Sequence, residues 1–74
     1  MSGLRPVPYR KLARFLRRRG FVVARQAGSH VFFEHADGRT TVVPHHSGED
    51  IGPGLLRKIL RDVAIEPEEF LREG

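Results

Sequence analysis

Apolar residues near the N-terminus recur at steps of three and four. They are Tyr9, Leu12, Phe15 and Leu16. This spacing places them on one face of an amphipathic helix, with arginines on the opposite face. We predict a helix over residues 8–19, because Pro8 suits a first helical turn and Gly20 suits the left-handed position after the last one.

Three short β-rich segments follow the predicted helix. Residues 21–25, 29–34 and 40–43 are predicted to form three strands. Residues 26–28 form a short connection in which Gly28 is free to take a positive φ. Residues 36–39 carry the Asp-Gly signal of a hairpin turn. The strands should therefore form an antiparallel meander.

Side chains alternate between the two faces of a strand, so His30 and Phe32 should share one face of the middle strand. Val31 and Phe33 should share the other face with His35. The face with Val31 and Phe33 has the larger apolar area, so we expect it to face the core. Phe32 then lies beside His30 on the open side of the sheet.

The last third of the chain predicts a second helix. Pro44 should end the third strand because it has no N–H to donate, and residues 45–52 form a polar loop. A helix is predicted over residues 53–64, with its apolar stripe at Leu56, Ile59, Leu60 and Val63. A final turn over residues 67–71 should pack Phe70 and Leu71 onto the core.

The predicted fold class is α+β, with the order α-β-β-β-α in one domain spanning residues 1–74. Both helices should cover one face of a three-stranded antiparallel sheet. A chain of 74 residues without cysteine has to rely on a purely apolar core.

Charge is distributed unevenly along the sequence. The net charge is +4 with a pI of about 10.7, and the first acidic residue is Glu34. Eight of the 13 Lys and Arg residues precede it: Arg5, Arg10, Lys11, Arg14, Arg17, Arg18, Arg19 and Arg25. The basic helix face is either a track for phosphates or only a solvated surface.

No run approaches the roughly 20 apolar residues of a membrane span, so we expect a soluble, cytoplasmic protein with no membrane partner.

Histidine is the residue type best suited to chemistry here, because the sequence has no Cys and no nucleotide-binding or Ser-nucleophile motif. Imidazole can move protons near neutral pH. RNA cleavage needs no metal if a base deprotonates the 2′-hydroxyl and an acid protonates the leaving 5′-oxygen. A strand His beside Gly28 and Ser29 is also compatible with a purely structural role.

A loop group of His45, His46, Glu49 and Asp50 has the side chains of a possible metal site. Adjacent histidines in a loop lack the fixed helical spacing of a recognised zinc motif. We therefore expect neither a metal nor another cofactor.

Several short motifs resemble the HicA toxins, the mRNA-cleaving members of HicA–HicB toxin–antitoxin pairs. The similarity covers residues 8–71. It rests on Gly20-Phe21, Arg25-Gln26, Gly28-Ser29-His30, Val43-Pro44 with His46, and Leu55 with Ile59 and Leu60. One position departs from the family pattern: Gly54 stands where a Thr or Ser is common, which puts a side-chain cap or phosphate contact there in doubt.

The resemblance implies a fold similar to double-stranded-RNA-binding domains, cleavage of mRNA with His30 as the catalytic residue, and neutralisation by a HicB-like antitoxin. Gly28, Ser29 and His46 would support or orient the site, although Ser29 could simply satisfy a backbone group at the turn. The residues expected to bind RNA are Arg10, Arg14, Arg17, Arg18, Arg25, Phe32 and Lys58. The alternative function is a non-catalytic double-stranded-RNA-binding module, which needs no catalytic His.

Overall fold

A computed structural model of the protein describes residues 3–73. It has three helices and a three-stranded antiparallel sheet in this range, which confirms the predicted α+β class. The elements in chain order are β1 (Val7–Pro8), α1 (Tyr9–Arg18), β2 (Val22–Ala27), β3 (His30–Glu34), β4 (Thr40–Pro44), β5 (Asp50–Ile51), α2 (Pro53–Asp62) and α3 (Pro67–Glu73).

Helix α1 ends where the sequence predicts. Gly20 follows it with a φ of +93°, a conformation that glycine adopts without strain. A Cβ at this position would lie 2.8 Å from Nε2 of His35. The His35 ring also packs edge-on against Phe21, with 5.0 Å between ring centroids. Gly20 therefore allows the helix to end here and leaves room for the His35 ring.

The main sheet has the order β2-β3-β4, and both pairings are antiparallel. Strand β2 is longer than predicted, because Gln26 and Ala27 belong to it instead of forming a connection. Only Gly28 and Ser29 remain as the turn. A register shift between Val23 and Arg25 marks a bulge in this edge strand.

The two faces of the sheet are assigned as predicted. Val31, Phe33 and Val43 are buried, with Phe33 only 1% exposed. They belong to one core cluster with the buried residues of α1 and α2, so both helices lie on this face. Phe32 is partly exposed on the other face beside the exposed His30.

The turn between β3 and β4 is held by side chains. Asp37 accepts hydrogen bonds from the backbone N–H of Arg39 at 3.1 Å and from its Nε. The Arg39 hydrogen bonds hold the pKa of Asp37 below its usual value. Arg39 also donates to the carbonyl of Val63 and lies over the Phe21 ring. This turn is therefore anchored to the core and to the end of α2.

The loop predicted over residues 45–52 contributes one strand to a second small sheet. Its last part, β5, pairs antiparallel with β1, with Val7 opposite Ile51 and Pro8 opposite Asp50. Helix α2 then begins with Pro53 and has no side-chain cap at its start. The N-cap position is Gly52, which has no side chain, and Gly54 is the second residue of the helix.

The C-terminal turn is a helix, α3, docked on α1. Phe70 is buried edge-on against Phe15, with 4.9 Å between ring centroids. Arg19 pairs with Glu73 at 2.6 Å and with Glu69 at 3.4 Å. Leu71 is 47% exposed, so the prediction that it packs onto the core is wrong. It lies one residue beyond Phe70 on a helix and turns away from the core.

No helix within residues 3–73 combines the length and the apolar character that crossing a bilayer requires.

Candidate functional site

The turn between β2 and β3 presents His30. Gly28 has a φ of +60° and Ser29 an ordinary negative φ, the pattern of a tight two-residue hairpin turn. The Gln26 side chain donates from Nε2 to the carbonyl of Gly28 at 3.1 Å. Backbone pairing places Ala27 and Pro44 on either side of His30. The residue thus stands at a fixed position at one end of the sheet.

The His30 side chain is exposed on the open face of the sheet. Within residues 3–73 its imidazole has no hydrogen bond, ion pair or ring contact. Both ring nitrogens can therefore reach a ligand. An exposed, unpaired His contributes little to stability, which is what a residue kept for chemistry would show.

The same face carries Phe32 two residues further along β3. The guanidinium of Arg25 lies over its ring, 4.1 Å from the centroid. Phe32 pairs across the sheet with Arg25 and Val42. Together with Thr40 these side chains line a shallow groove of about 340 Å³. The groove combines a cation, an aromatic ring and aliphatic surface.

The end of β4 lies against the His30 turn. The backbone N–H of His45 donates to the carbonyl of Ser29 at 2.7 Å. The His45 ring stacks on Tyr9 at the start of α1, with centroids 3.8 Å apart and planes only 6° from parallel. This contact joins the helix layer to the sheet at the end where His30 lies.

Tyr9 lies beside the candidate site, although its position in the sequence predicts only a place in an apolar stripe. Burial raises the pKa of its hydroxyl, partly offset by the positive charge of Arg17, so the hydroxyl stays neutral at physiological pH. No local pattern could reveal the stack, because it joins residues 36 positions apart.

His46 lines an open cleft beside the stacked rings. The cleft measures about 320 Å³, and its lining includes Tyr9, Arg10, His45, His46 and Asp50. The carbonyl of His46 accepts a hydrogen bond from the backbone N–H of Glu49 at 3.0 Å. The structure therefore brings His46 to the same end of the molecule as Gly28, Ser29 and His30.

His35, by contrast, has structural contacts. Its Nδ1 accepts a hydrogen bond from the backbone N–H of Asp37 at 3.1 Å, and its ring packs on Phe21 and Gly20. Within the described chain, no three His, Cys, Asp or Glu side chains come together in an arrangement that could hold a metal ion.

The predicted RNA-binding cations differ in how free they are. Arg10, Arg14 and Arg17 are exposed on α1, and Arg10 also reaches the cleft. Arg18 donates to the backbone carbonyl of Glu73 at 3.4 Å. Lys58 pairs with Asp62 at 3.0 Å, so its charge is partly neutralised.

Asp62 also has a structural partner in the sheet. Its Oδ2, the atom paired with Lys58, accepts a hydrogen bond from the buried Thr41 hydroxyl at 3.1 Å. The carboxylate is therefore held in place whether or not Lys58 turns away. Lys58 is a weaker RNA-binding candidate than the arginines of α1.

The fold and this site define a small basic α+β domain that presents an exposed histidine at a hairpin turn. A family model described as the HicA toxin of bacterial toxin–antitoxin systems matches residues 9–65, and the chain belongs to this family of toxins. The matched range includes the His30 turn and the His45–His46 segment and stops before α3. Toxins of this family act in pairs with HicB antitoxins. A comparison with curated proteins gave no match.

Proposed function

We propose that the protein is the toxin of a type II pair and an endoribonuclease that cleaves mRNA without a metal, with His30 as general acid–base residue. The observation that carries this proposal is the exposed imidazole of His30, unpaired within residues 3–73, at a rigid turn inside the range that matches the toxin family. An mRNA substrate would place its action in the cytoplasm.

RNA cleavage without a metal requires two proton transfers. A base removes the proton of a 2′-hydroxyl, whose oxygen attacks the adjacent phosphorus. The bond from phosphorus to the 5′-oxygen breaks, and an acid protonates that oxygen. The products are a 2′,3′-cyclic phosphate and a 5′-hydroxyl. His30 is the candidate for one of these transfers, and His46 in the neighbouring cleft supports the reaction as a phosphate contact.

Gly28 and Ser29 would orient His30. Gly28 supplies the positive φ that the two-residue turn needs, and the Ser29 carbonyl holds the His45 backbone at 2.7 Å. The Ser29 hydroxyl has no hydrogen-bond partner within residues 3–73 and would contact a phosphate oxygen. The turn thereby aligns His30 with the end of β4.

RNA would reach His30 from α1. Arg10, Arg14 and Arg17 lie within one side of the helix, since they are separated by four and three residues. Arg10 lines the cleft at the His45 end. We infer that the RNA backbone lies along these three arginines and Arg18. It then turns around the end of the domain towards His30. Phe32 and Arg25 would hold RNA on the sheet face, with Lys58 in a minor role.

A HicB-like antitoxin is the proposed partner on the open face. That face exposes Val22, Val42 and part of Phe32 along the same sheet that carries His30. Covering this surface would bury apolar area and close access to the imidazole together. The net charge of +4 favours an antitoxin with acidic groups.

One observation favours the alternative, a non-catalytic RNA-binding module. The arginines of α1 lie opposite its buried stripe and therefore face away from the sheet that carries His30. A fold of the double-stranded-RNA-binding kind, which the helix–strand order supports here, reads duplex shape without a catalytic group.

The deciding experiment incubates the purified protein with a labelled mRNA in EDTA, with and without a HicB-like antitoxin. We expect fragments ending in 2′,3′-cyclic phosphate and 5′-hydroxyl, and no cleavage once antitoxin is bound. RNA that is bound but stays intact with or without metal would support the alternative. Cleavage only after metal is added would contradict the proposed mechanism.

A further inference from the structure

The cleft beside the Tyr9–His45 stack has the size and chemistry of a nucleotide subsite. Its volume of about 320 Å³ is at the lower end of the range for small-ligand sites. It adjoins the His30 turn through the hydrogen bond from His45 to the Ser29 carbonyl. A nucleotide held there would neighbour the phosphate that reacts at His30.

One wall of the cleft is aromatic. Tyr9 covers one face of the His45 ring at 3.8 Å between centroids, and the raised pKa of the partly buried phenol keeps it uncharged. His45 itself is exposed, so the ring face turned away from Tyr9 is accessible. A nucleobase placed on that face would extend the existing stack. Base–aromatic stacking accepts any base, and the contact with Tyr9 already holds the His45 ring in place.

The lining of the cleft also includes acidic side chains. Glu49 and Asp50 both line it, and neither forms an ion pair in the part of the chain that the structure describes. Asp50 belongs to β5 and pairs with Pro8, so its backbone is held at a fixed distance from Tyr9, the next residue along. Glu49 precedes the strand in the loop, where its backbone N–H donates to the His46 carbonyl at 3.0 Å.

A carboxylate accepts two parallel hydrogen bonds and donates none. Guanine is the base whose Watson–Crick edge offers two adjacent donors, N1–H and the N2 amino group. Adenine offers one donor beside an acceptor at the equivalent positions. The carboxylate therefore selects guanine, while the stack alone would accept any base.

We propose that this cleft is a guanine-binding subsite that sets the cleavage-site preference. The base stacks on His45, Asp50 accepts from its N1–H and N2 amino group, and Arg10 at the cleft contacts the nucleotide's phosphate. The claim that the subsite sets the cleavage position rests on the proposed endoribonuclease function. The claim that it binds guanine does not depend on that function.

Binding is measured by NMR titration of the protein with GMP and AMP, following the ring resonances of Tyr9 and His45. A bidentate contact discriminates between bases by about 5- to 150-fold, and we expect GMP to bind more tightly by a factor in this range. In Asp50→Asn the preference should be lost or move towards AMP, because Asn offers one donor and one acceptor. Glu49→Gln removes the same charge from the same cleft and should retain the preference. Equal binding of GMP and AMP, or a preference lost only in Glu49→Gln, would overturn the assignment.

Cleavage is then compared on RNAs that differ only by G, inosine or A at one position. We expect a single cut beside G that weakens with inosine, which lacks the N2 amino group. If GMP binds selectively while no RNA is cut, the ribonuclease proposal fails and the subsite stands. If all the RNAs are cut equally and the nucleotides bind equally, the subsite fails and the ribonuclease stands.

Discussion

Replacing Phe32 and Phe33 separately with Ala tests whether the open face of the sheet is the face that meets RNA. The two residues are adjacent in β3, equal in size and on opposite faces. Phe33 is 1% exposed in the core, whereas Phe32 is partly exposed under the Arg25 guanidinium, 4.1 Å from its ring centroid. Each variant is therefore the matched control of the other.

The two substitutions should affect different properties: Phe33→Ala should lower the stability of the fold, and Phe32→Ala should lower the affinity for RNA. Removing a buried Phe costs about 3–5 kcal/mol, a large share of the roughly 4–11 kcal/mol expected for a domain of this size at 0.05–0.15 kcal/mol per residue. Phe33→Ala should lower the melting temperature by more than about 12 °C. Phe32→Ala should lose mainly the cation–π contact, about 0.5–1 kcal/mol at an exposed site, but weaken RNA binding by about 1–3 kcal/mol if a base stacks on the ring.

The assay pairs thermal denaturation by circular dichroism with fluorescence anisotropy on a labelled RNA. Phe32→Ala should melt within a few degrees of the parent and bind RNA less tightly. A Phe32→Ala protein that is less stable than Phe33→Ala would refute the assignment of the two faces. Unchanged RNA affinity in a folded Phe32→Ala protein would leave the face assignment intact and remove Phe32 from the RNA contact.

Three further predictions test charge, packing and acid stability. Charge reversal of Arg17 and Arg18 together should weaken RNA binding and flatten its salt dependence, at roughly 0.7–0.9 in log–log slope per phosphate contact; parental binding at every salt concentration would make the basic face only a solvated surface. Gly20→Ala should destabilise the fold by more than about 1 kcal/mol in urea, because it adds the His35 clash to a positive φ, whereas Gly48→Ala has the positive φ and open space and should cost less. The hydrogen bond from the Arg19 guanidinium lowers the pKa of Glu73, so the stabilisation from this pair is present above the unfolded pKa of Glu73 and lost as pH falls through the lower folded value. Melting curves of the parent between pH 7 and 3 should show a loss of stability in acid that Glu73→Gln reduces, and identical profiles would contradict this prediction.

The sequence predicted those features that depend on local periodicity. The apolar spacing gave α1 and α2 within two residues at each end, and strand alternation placed Phe33 inside and Phe32 outside. Hydrophobic burial decides these features, and its pattern can be read along the chain.

The missed features depend on contacts between distant residues. Strands β1 and β5 have two residues each, too few for alternation to show, and they form only because residues 7 and 51 meet. The stack of Tyr9 on His45 likewise joins residues 36 positions apart. The motif around His30 indicated a candidate residue, whereas its accessibility and lack of partners became visible only in the fold.

Cleavage of a labelled RNA in EDTA by the parent and by His30→Ala tests the central claim most directly, provided that urea denaturation and RNA affinity are measured on the same samples. His30 is exposed and has no side-chain partner within residues 3–73, so the variant should keep parental stability and RNA affinity. General acid–base catalysis contributes about 10²–10⁴-fold, and cleavage should fall by a factor in that range. A His30→Ala protein that cleaves at the parental rate, or one that loses stability, RNA affinity and cleavage together, would contradict the assignment of His30 as the catalytic residue.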